Sequence, residues 1–182
     1  MNLRKHKTDA FTMIELLGVI AVIAILSGIL IPTVGGVIKQ SRIAASKAQL
    51  WQYITAIENF KAEYNYYPQV YGNDGNGDGL IDFEDDSANF IGALSGSDGG
   101  NYREIQFHSF SENEFQNKDS STDQLSDSFN NIEIFILIDV DGDGMINPDS
   151  DDPESPDQIR GNATAWVEGD VGKGYPGYAL WE

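Results

Sequence analysis

Cysteine is absent from the chain, histidine occurs twice, and positive charge is scarce: 11 Lys and Arg stand against 29 Asp and Glu, a formal net charge of -18. Without cysteine there is no disulfide framework, no thiol nucleophile and no thiolate metal site. His6 and His108 lie far apart in sequence, so imidazole catalysis has little to build on, and a structural role for His108 outweighs a catalytic one. The acidic excess is also uneven. From Pro68 onward 25 Asp and Glu face 4 Lys and Arg, a net of -21, and a surface of that sign repels nucleic acid. Nucleophile and phosphate signatures are lacking too. Gly92-Ala93-Leu94-Ser95-Gly96 carries its serine one place late for a nucleophile elbow, and Gly75-Asn76-Gly77-Asp78-Gly79 lies between acids that would repel phosphate. These absences argue against an enzyme. A disulfide-free domain of about 115 residues is held together by its core or by a metal, and the carboxylates favour a metal.

What the chain does have is a long apolar run, Phe11 to Ile31, interrupted by one carboxylate, Glu15. At about 1.5 Å per residue a helix of that length matches a hydrocarbon core of roughly 30 Å. A charge inside such a run is expensive and persists for a function or a partner. Arg4, Lys5 and Lys7 precede it, which by the positive-inside rule keeps the N-terminus in the cytoplasm and sends the chain outward. In an ordinary secretory signal the small residues of the cleavage site follow the apolar run. Here the small residue, Ala10, precedes it, so cleavage there leaves the apolar helix on the mature chain.

The segment Ala10-Phe11-Thr12-Met13-Ile14-Glu15 resembles the processing site of type IV pilins and of the pseudopilins of type II secretion systems. The resemblance implies that a prepilin peptidase in the membrane cuts before Phe11 and methylates the new N-terminus. It also implies that Glu15, fifth in the mature chain, assists assembly. The family normally has glycine before the cut, where this chain has Ala10. In a filament core of apolar helices the resemblance would pair Glu15 with the α-amino group of a neighbouring Phe11, setting the axial register between subunits.

Beyond the run, Pro32 with Gly35 and Gly36 predicts a kink or a loosened segment, and the family has a proline at this place. Apolar residues then recur at Ile43, Leu50, Ile57 and Tyr64, with Ile54 and Phe60 beside them. This predicts an amphipathic helix to about Tyr64, closed by Asn65-Tyr66-Tyr67-Pro68. The division is therefore a leader at 1-10, an apolar helix at 11-31, its amphipathic continuation at 32-67 and an acidic, β-rich domain at 68-182.

Two acidic loops carry the metal expectation. In Asp74-Gly75-Asn76-Gly77-Asp78-Gly79-Leu80-Ile81-Asp82-Phe83-Glu84-Asp85, oxygen ligands stand at positions 1, 3, 5, 9 and 12 of an EF-hand-like calcium loop. These are Asp74, Asn76, Asp78, Asp82 and Asp85, with Leu80 giving its backbone carbonyl and Gly79 making the turn. Asp139, Asp141, Asp143, Met145 and Asn147 repeat the pattern after the apolar run Ile134 to Ile138. There the closing ligand is open: Ser150 stands at position twelve, flanked by Asp149 and Asp151. The loops begin 65 positions apart, which predicts two independent Ca2+ sites, the first at the Asp74 loop and a second at the Asp139 loop. Between them, Ala88 to Leu94 predicts one or two helical turns, Arg103 to Phe110 a strand or the approach to one, and Ser111 to Ser128 an exposed polar loop.

Closing strands are predicted at Asn162 to Val167 and Gly177 to Trp181. Ala163-Thr164-Ala165-Trp166 followed by Gly169-Asp170 and Gly172 resembles the C-terminal domain of the major pseudopilin, although Asp127-Ser128-Phe129-Asn130-Asn131 stands where that family carries a Trp-Gly turn. The expectation is an α+β pilin fold, a long N-terminal helix packed on a small antiparallel β-sheet with calcium-binding loops. By resemblance its function is that of a pseudopilus subunit of type II secretion, with a type IV pilus subunit as the alternative and a carboxylate-based hydrolase as a remote one. The implied partners are further copies of itself, minor pilins, the prepilin peptidase, the inner-membrane assembly platform and the membrane before assembly.

Overall fold

The computed structural model describes residues 11–73, 77–148 and 155–181, with the side chains of 30–33 and 73 left aside. The expected processing residue Ala10 and the first-loop ligands Asp74 and Asn76 lie outside the described residues, as do Asp149, Ser150 and Asp151. So does the side chain of Pro32, on which the predicted kink rests. The architecture is α+β: an N-terminal helix followed by an antiparallel sheet. Two compact units, Met1–Ser41 and Arg42–Glu182, divide the chain.

Helix α1 runs Met13–Tyr64. Its start is a capping box. Thr12 N–H and Oγ1 donate to Glu15 Oε2 at 2.8 and 2.7 Å, while Glu15 N–H donates to Thr12 Oγ1 at 3.3 Å. Glu15 therefore has a local role that the apolar run hides: it completes the helix N-terminus. From Phe11 to Ile29 the large apolar side chains are exposed. Among the described residues no single helical run is long and apolar enough to cross a membrane, but Met13–Ile29 and Val34–Tyr64 taken together meet that requirement by length and composition.

Within Arg42–Glu182, α1 buries one stripe, Leu50, Tyr53, Ile54, Ile57 and Phe60, at helical spacing. The helix stops where Asn65 turns left-handed at φ 62°, its N–H donating to Lys61 O at 2.7 Å. Strands β1 (Gly72–Asn73), β2 (Gly79–Asp82), β3 (Ile134–Ile138), β6 (Ala163–Val167) and β7 (Tyr178–Ala179) form an antiparallel sheet in that order, and β4 (Met145–Ile146) pairs with β5 (Ile159–Arg160). Strand alternation gives the sheet two buried faces. Ile81, Ile134, Ile136, Ile138, Ala165 and Val167 join the stripe of α1 in the main core. On the other face Leu137, Trp166 and Ala179 make a smaller cluster with Ile146 of β4, and Phe135 stacks on Trp166 with ring centres 5.3 Å apart.

Helix α2 (Phe83–Ser95) has 13 residues, longer than the one or two turns expected from Ala88 to Leu94. Asp82 caps it, accepting from Glu84 N–H at 2.9 Å, and Glu84, Asp85 and Asp86 fill the first turn, where the helix dipole favours carboxylates. Phe83 and Phe90 come from α2 to meet Tyr53, with ring centres 5.7 and 5.4 Å away.

Residues 103–110 form no strand. Buried Asn101 takes the place of a strand partner, donating from Nδ2 to Ala93 O and Ile105 O and accepting from Ile105 N–H. The segment 111–128 holds three short 3₁₀ turns and is not simply exposed: Phe115, Leu125, Ser126 and Asp127 are buried.

The Glu114 side chain sits under this segment. Its Oε2 accepts from Tyr53 OH at 2.8 Å and lies 2.9 Å from His108 Nε2, and its Oε1 accepts from Ser111 N–H and Oγ. Burial alone would raise its pKa, but the donors from His108, Ser111 and Tyr53 together outweigh it and hold the carboxyl below its ordinary 4.5. A lowered folded-state pKa contributes stability above the unfolded value, which is lost as pH falls through the folded one. Glu114→Gln is expected to destabilise the chain near neutral pH by about 1 to 3 kcal/mol, the scale of hydrogen bonds to a charged group. In urea melts the gap between variant and parent should close as pH drops below about 4.5, the ordinary carboxyl value. A gap of constant size from pH 7 to 3 would assign the loss to packing instead.

Candidate metal centre

Strand register builds the site. β2 pairs antiparallel with β3, Gly79 opposite Ile138, so Asp78 entering β2 and Asp139 leaving β3 become neighbours. The two loops are consequently not independent, contrary to the expectation from their separation in sequence. Asp78, Asp139 and Asp141 each place a carboxylate oxygen within 4.8 Å of the others. Asp78 is 4% exposed and Asp139 2%, whereas Asp141 faces solvent.

The Asp139 loop is folded by its own side chains. Asp139 accepts from Gly142 N–H at 2.7 Å on one oxygen and from Gly144 N–H at 2.9 Å on the other. Asp141 Oδ1 accepts from Asp143 N–H, and Asp143 Oδ1 from Met145 N–H. Asn147 lends its N–H to Asp78 Oδ2 at 3.1 Å, tying the second loop to the first. Gly77 permits this approach. Its φ is 109°, and a Cβ there would stand 2.6 Å from Asp141 Oδ2, so a side chain meets both backbone strain and a carboxylate.

The structure thus gathers Asp78, Asp139 and Asp141, with Asp143, Met145 and Asn147 on the same loop. It sends Asp82 and Asp85 to the N-terminus of α2, and Leu80 lies within β2, paired with Leu137 and Gly72. No lysine or arginine forms an ion pair with Asp139 or Asp141 among the described residues. Converging carboxylates are a hard-oxygen donor set of the kind that Ca2+ accepts, and they suit soft metals poorly. What sequence reading missed is that Asp78 serves the second loop. The signal was available in the shared Asp-Gly-Asp-Gly and Asn-Gly-Asp-Gly wording of the two loops, each flanking a β-prone segment.

Residues 5–31 match the prokaryotic N-terminal methylation motif. This motif is typical of type IV pilin-like proteins, which are cut by a prepilin peptidase, anchored through the N-terminal helix and assembled into filaments. No curated protein and no solved structure matches the chain.

Proposed function

We propose that this protein is a structural subunit of a type II secretion pseudopilus, cut between Ala10 and Phe11 by a prepilin peptidase and methylated on Phe11. The observation that carries the reading is the methylation motif over residues 5–31, continuous with a helix whose apolar side chains are exposed in the single chain. Those side chains want lipid before assembly and neighbouring helices after it. In the single chain the Glu15 carboxylate is satisfied by Thr12. In the filament it would turn to the α-amino group of a neighbouring Phe11. The subunit would sit in the inner membrane with its N-terminus in the cytoplasm, then join copies of itself and minor pilins through the assembly platform.

Calcium belongs to the same reading. Asp139, Asp141 and Asp78 would hold one shared ion, with Asp143 and the Met145 carbonyl as further oxygen donors on the loop. What supports this is the convergence of three carboxylates, two of them buried, at the seam of β2 and β3, in a domain without disulfides.

The test is genetic and physical. Deleting the gene should trap exported proteins inside the cell while the mature chain of the parent strain stays with the envelope. Long sheared fibres composed mainly of this chain, with export intact in the deletion strain, would make it a type IV pilus subunit for adhesion or motility instead.

A further inference from the structure

Of the seven lysines and arginines in Arg42–Glu182, three are held by tyrosine or carboxylate partners. Lys61 donates to Tyr67 OH, Arg103 pairs with Glu63, and Lys173 pairs with Glu133 and Asp170. Arg42 and Lys118 make no ion pair among the described residues, and both line one cavity of about 350 Å³. Asn113, Ser126, Asp127 and Asn130 share its wall. The Asp127 carboxylate is committed to its own turn: Oδ1 accepts from the N–H groups of Phe129 and Asn131 at 2.7 and 2.9 Å, and Oδ2 from Tyr178 OH at 2.6 Å. The concavity therefore offers two cations, neutral amide and hydroxyl groups, and one carboxylate, Asp127, whose oxygens are turned to donors of its own turn and of Tyr178.

Both cations are positioned. The Arg42 guanidinium lies over the Phe129 ring, 5.8 Å from its centre. Lys118 is placed by a strained turn, for Asn117 and Lys118 are successive left-handed residues at φ 56° and 58°. Across the cavity Asn130 is left-handed as well, at φ 67°. The two asparagines lock together, Asn130 Nδ2 donating to Asn117 Oδ1 at 3.1 Å and Asn117 N–H to Asn130 Oδ1. Left-handed backbone is unfavourable for a lysine, and strain of this kind gathers at ligand clamps. Burial does not require it here, since Lys118 itself is exposed.

We propose that the Arg42–Lys118 cavity receives a carboxylate side chain from a second copy of this chain. The inference rests on the reading that the chain assembles with itself. Removal of the leader, with Arg4, Lys5, Lys7 and Asp9, leaves copies with a net charge of -20 that repel one another, so where their acidic domains meet, a cation of one facing an acid of the next lowers the repulsion. An arginine and a lysine lining one cavity with flanking amides match a carboxylate, and the 28 acids of each mature copy supply the counterpart.

The test uses the full chain assembled in isolated cell envelopes, treated with a carbodiimide that joins lysine amines to carboxylates. Denaturing gels report links between copies, and mass spectrometry reads their positions. The expected result is a ladder of covalent multimers linked through Lys118, falling at least fivefold in Lys118→Gln and in Arg42→Gln. Lys118→Arg, which keeps the charge but not the reactive amine, should lose the links while still assembling, and Lys118→Glu should assemble poorly. A ladder formed through other lysines and unchanged in Lys118→Gln would overturn this inference and leave self-assembly standing. No ladder and no sedimenting assembly in the parent chain would overturn both.

Discussion

Phe60→Ala is expected to remove about 3 to 5 kcal/mol of stability, the range for deleting a fully buried phenylalanine. Phe60 has no exposed surface, and its ring contacts those of Tyr64, Phe107 and Tyr66, with centres 4.6, 5.2 and 5.8 Å away. Tyr64 and Tyr66 flank the helix end, while Phe107 belongs to the irregular 103–110 segment. One truncation therefore loosens the last turn of α1 and the loop that closes over it. Domains of this size are stable by only about 5 to 15 kcal/mol, so the loss is a large share of the total. The check is urea denaturation of the fragment from Arg42 to Glu182. The midpoint should fall with the slope unchanged, and Trp51→Ala, on the opposite face of the helix where Trp51 is 53% exposed, should change stability by less than about 1 kcal/mol. A loss below 1 kcal/mol for Phe60→Ala would mean that the end of α1 is not seated on this core.

The stripe containing Phe60 was legible in the sequence because helical periodicity is a local property. The same holds for β3, where Ile134 to Ile138 is an apolar run bounded by an acidic turn. Less local features were misread for identifiable reasons. Ile105 and Phe107 alternate like strand residues, but buried Asn101 satisfies the neighbouring backbone without a ladder. By contrast, Asp82 and Asp85, expected as ligands nine and twelve of the first loop, stand at the N-cap and in the first turn of α2, where the last ligands of a helix-flanked calcium loop also fall. The two compositions coincide, so sequence alone cannot separate the uses. The carboxylate cluster was half legible. Both loops announce themselves by spacing, yet their convergence depends on the β2–β3 register, which pairs residues about 60 positions apart. The Arg42–Lys118 cavity carried no sequence signal, because it joins a helix residue to a turn 76 positions away whose backbone conformation no residue type demands.

Calcium should raise the melting temperature of the Arg42–Glu182 fragment relative to EDTA, and Asp141→Asn should abolish that increment by moving the two melts in opposite directions. Asp78, Asp139 and Asp141 bring carboxylate oxygens within 4.8 Å of one another. Without a cation these charges repel, two of them in buried surroundings. Asparagine at 141 keeps an oxygen to accept from Asp143 N–H and removes one negative charge. In EDTA the variant should therefore melt at or above the parent. In calcium it has lost an anionic ligand and should melt below it. Loop sites of extracellular modules bind with dissociation constants of roughly 0.1 to 1 mM. At 10 mM calcium, linkage then gives the parent about 1.4 to 2.7 kcal/mol, or roughly 5 to 10 °C. Tryptophan emission provides a second readout, because Ile146, on the strand leaving the Asp139 loop, packs in the cluster that buries Trp166. A side chain that merely shapes the turn would shift both melts the same way. Equal melts of the parent in calcium and EDTA would remove the ion from the account and leave the cluster as a destabilising feature of the β2–β3 seam.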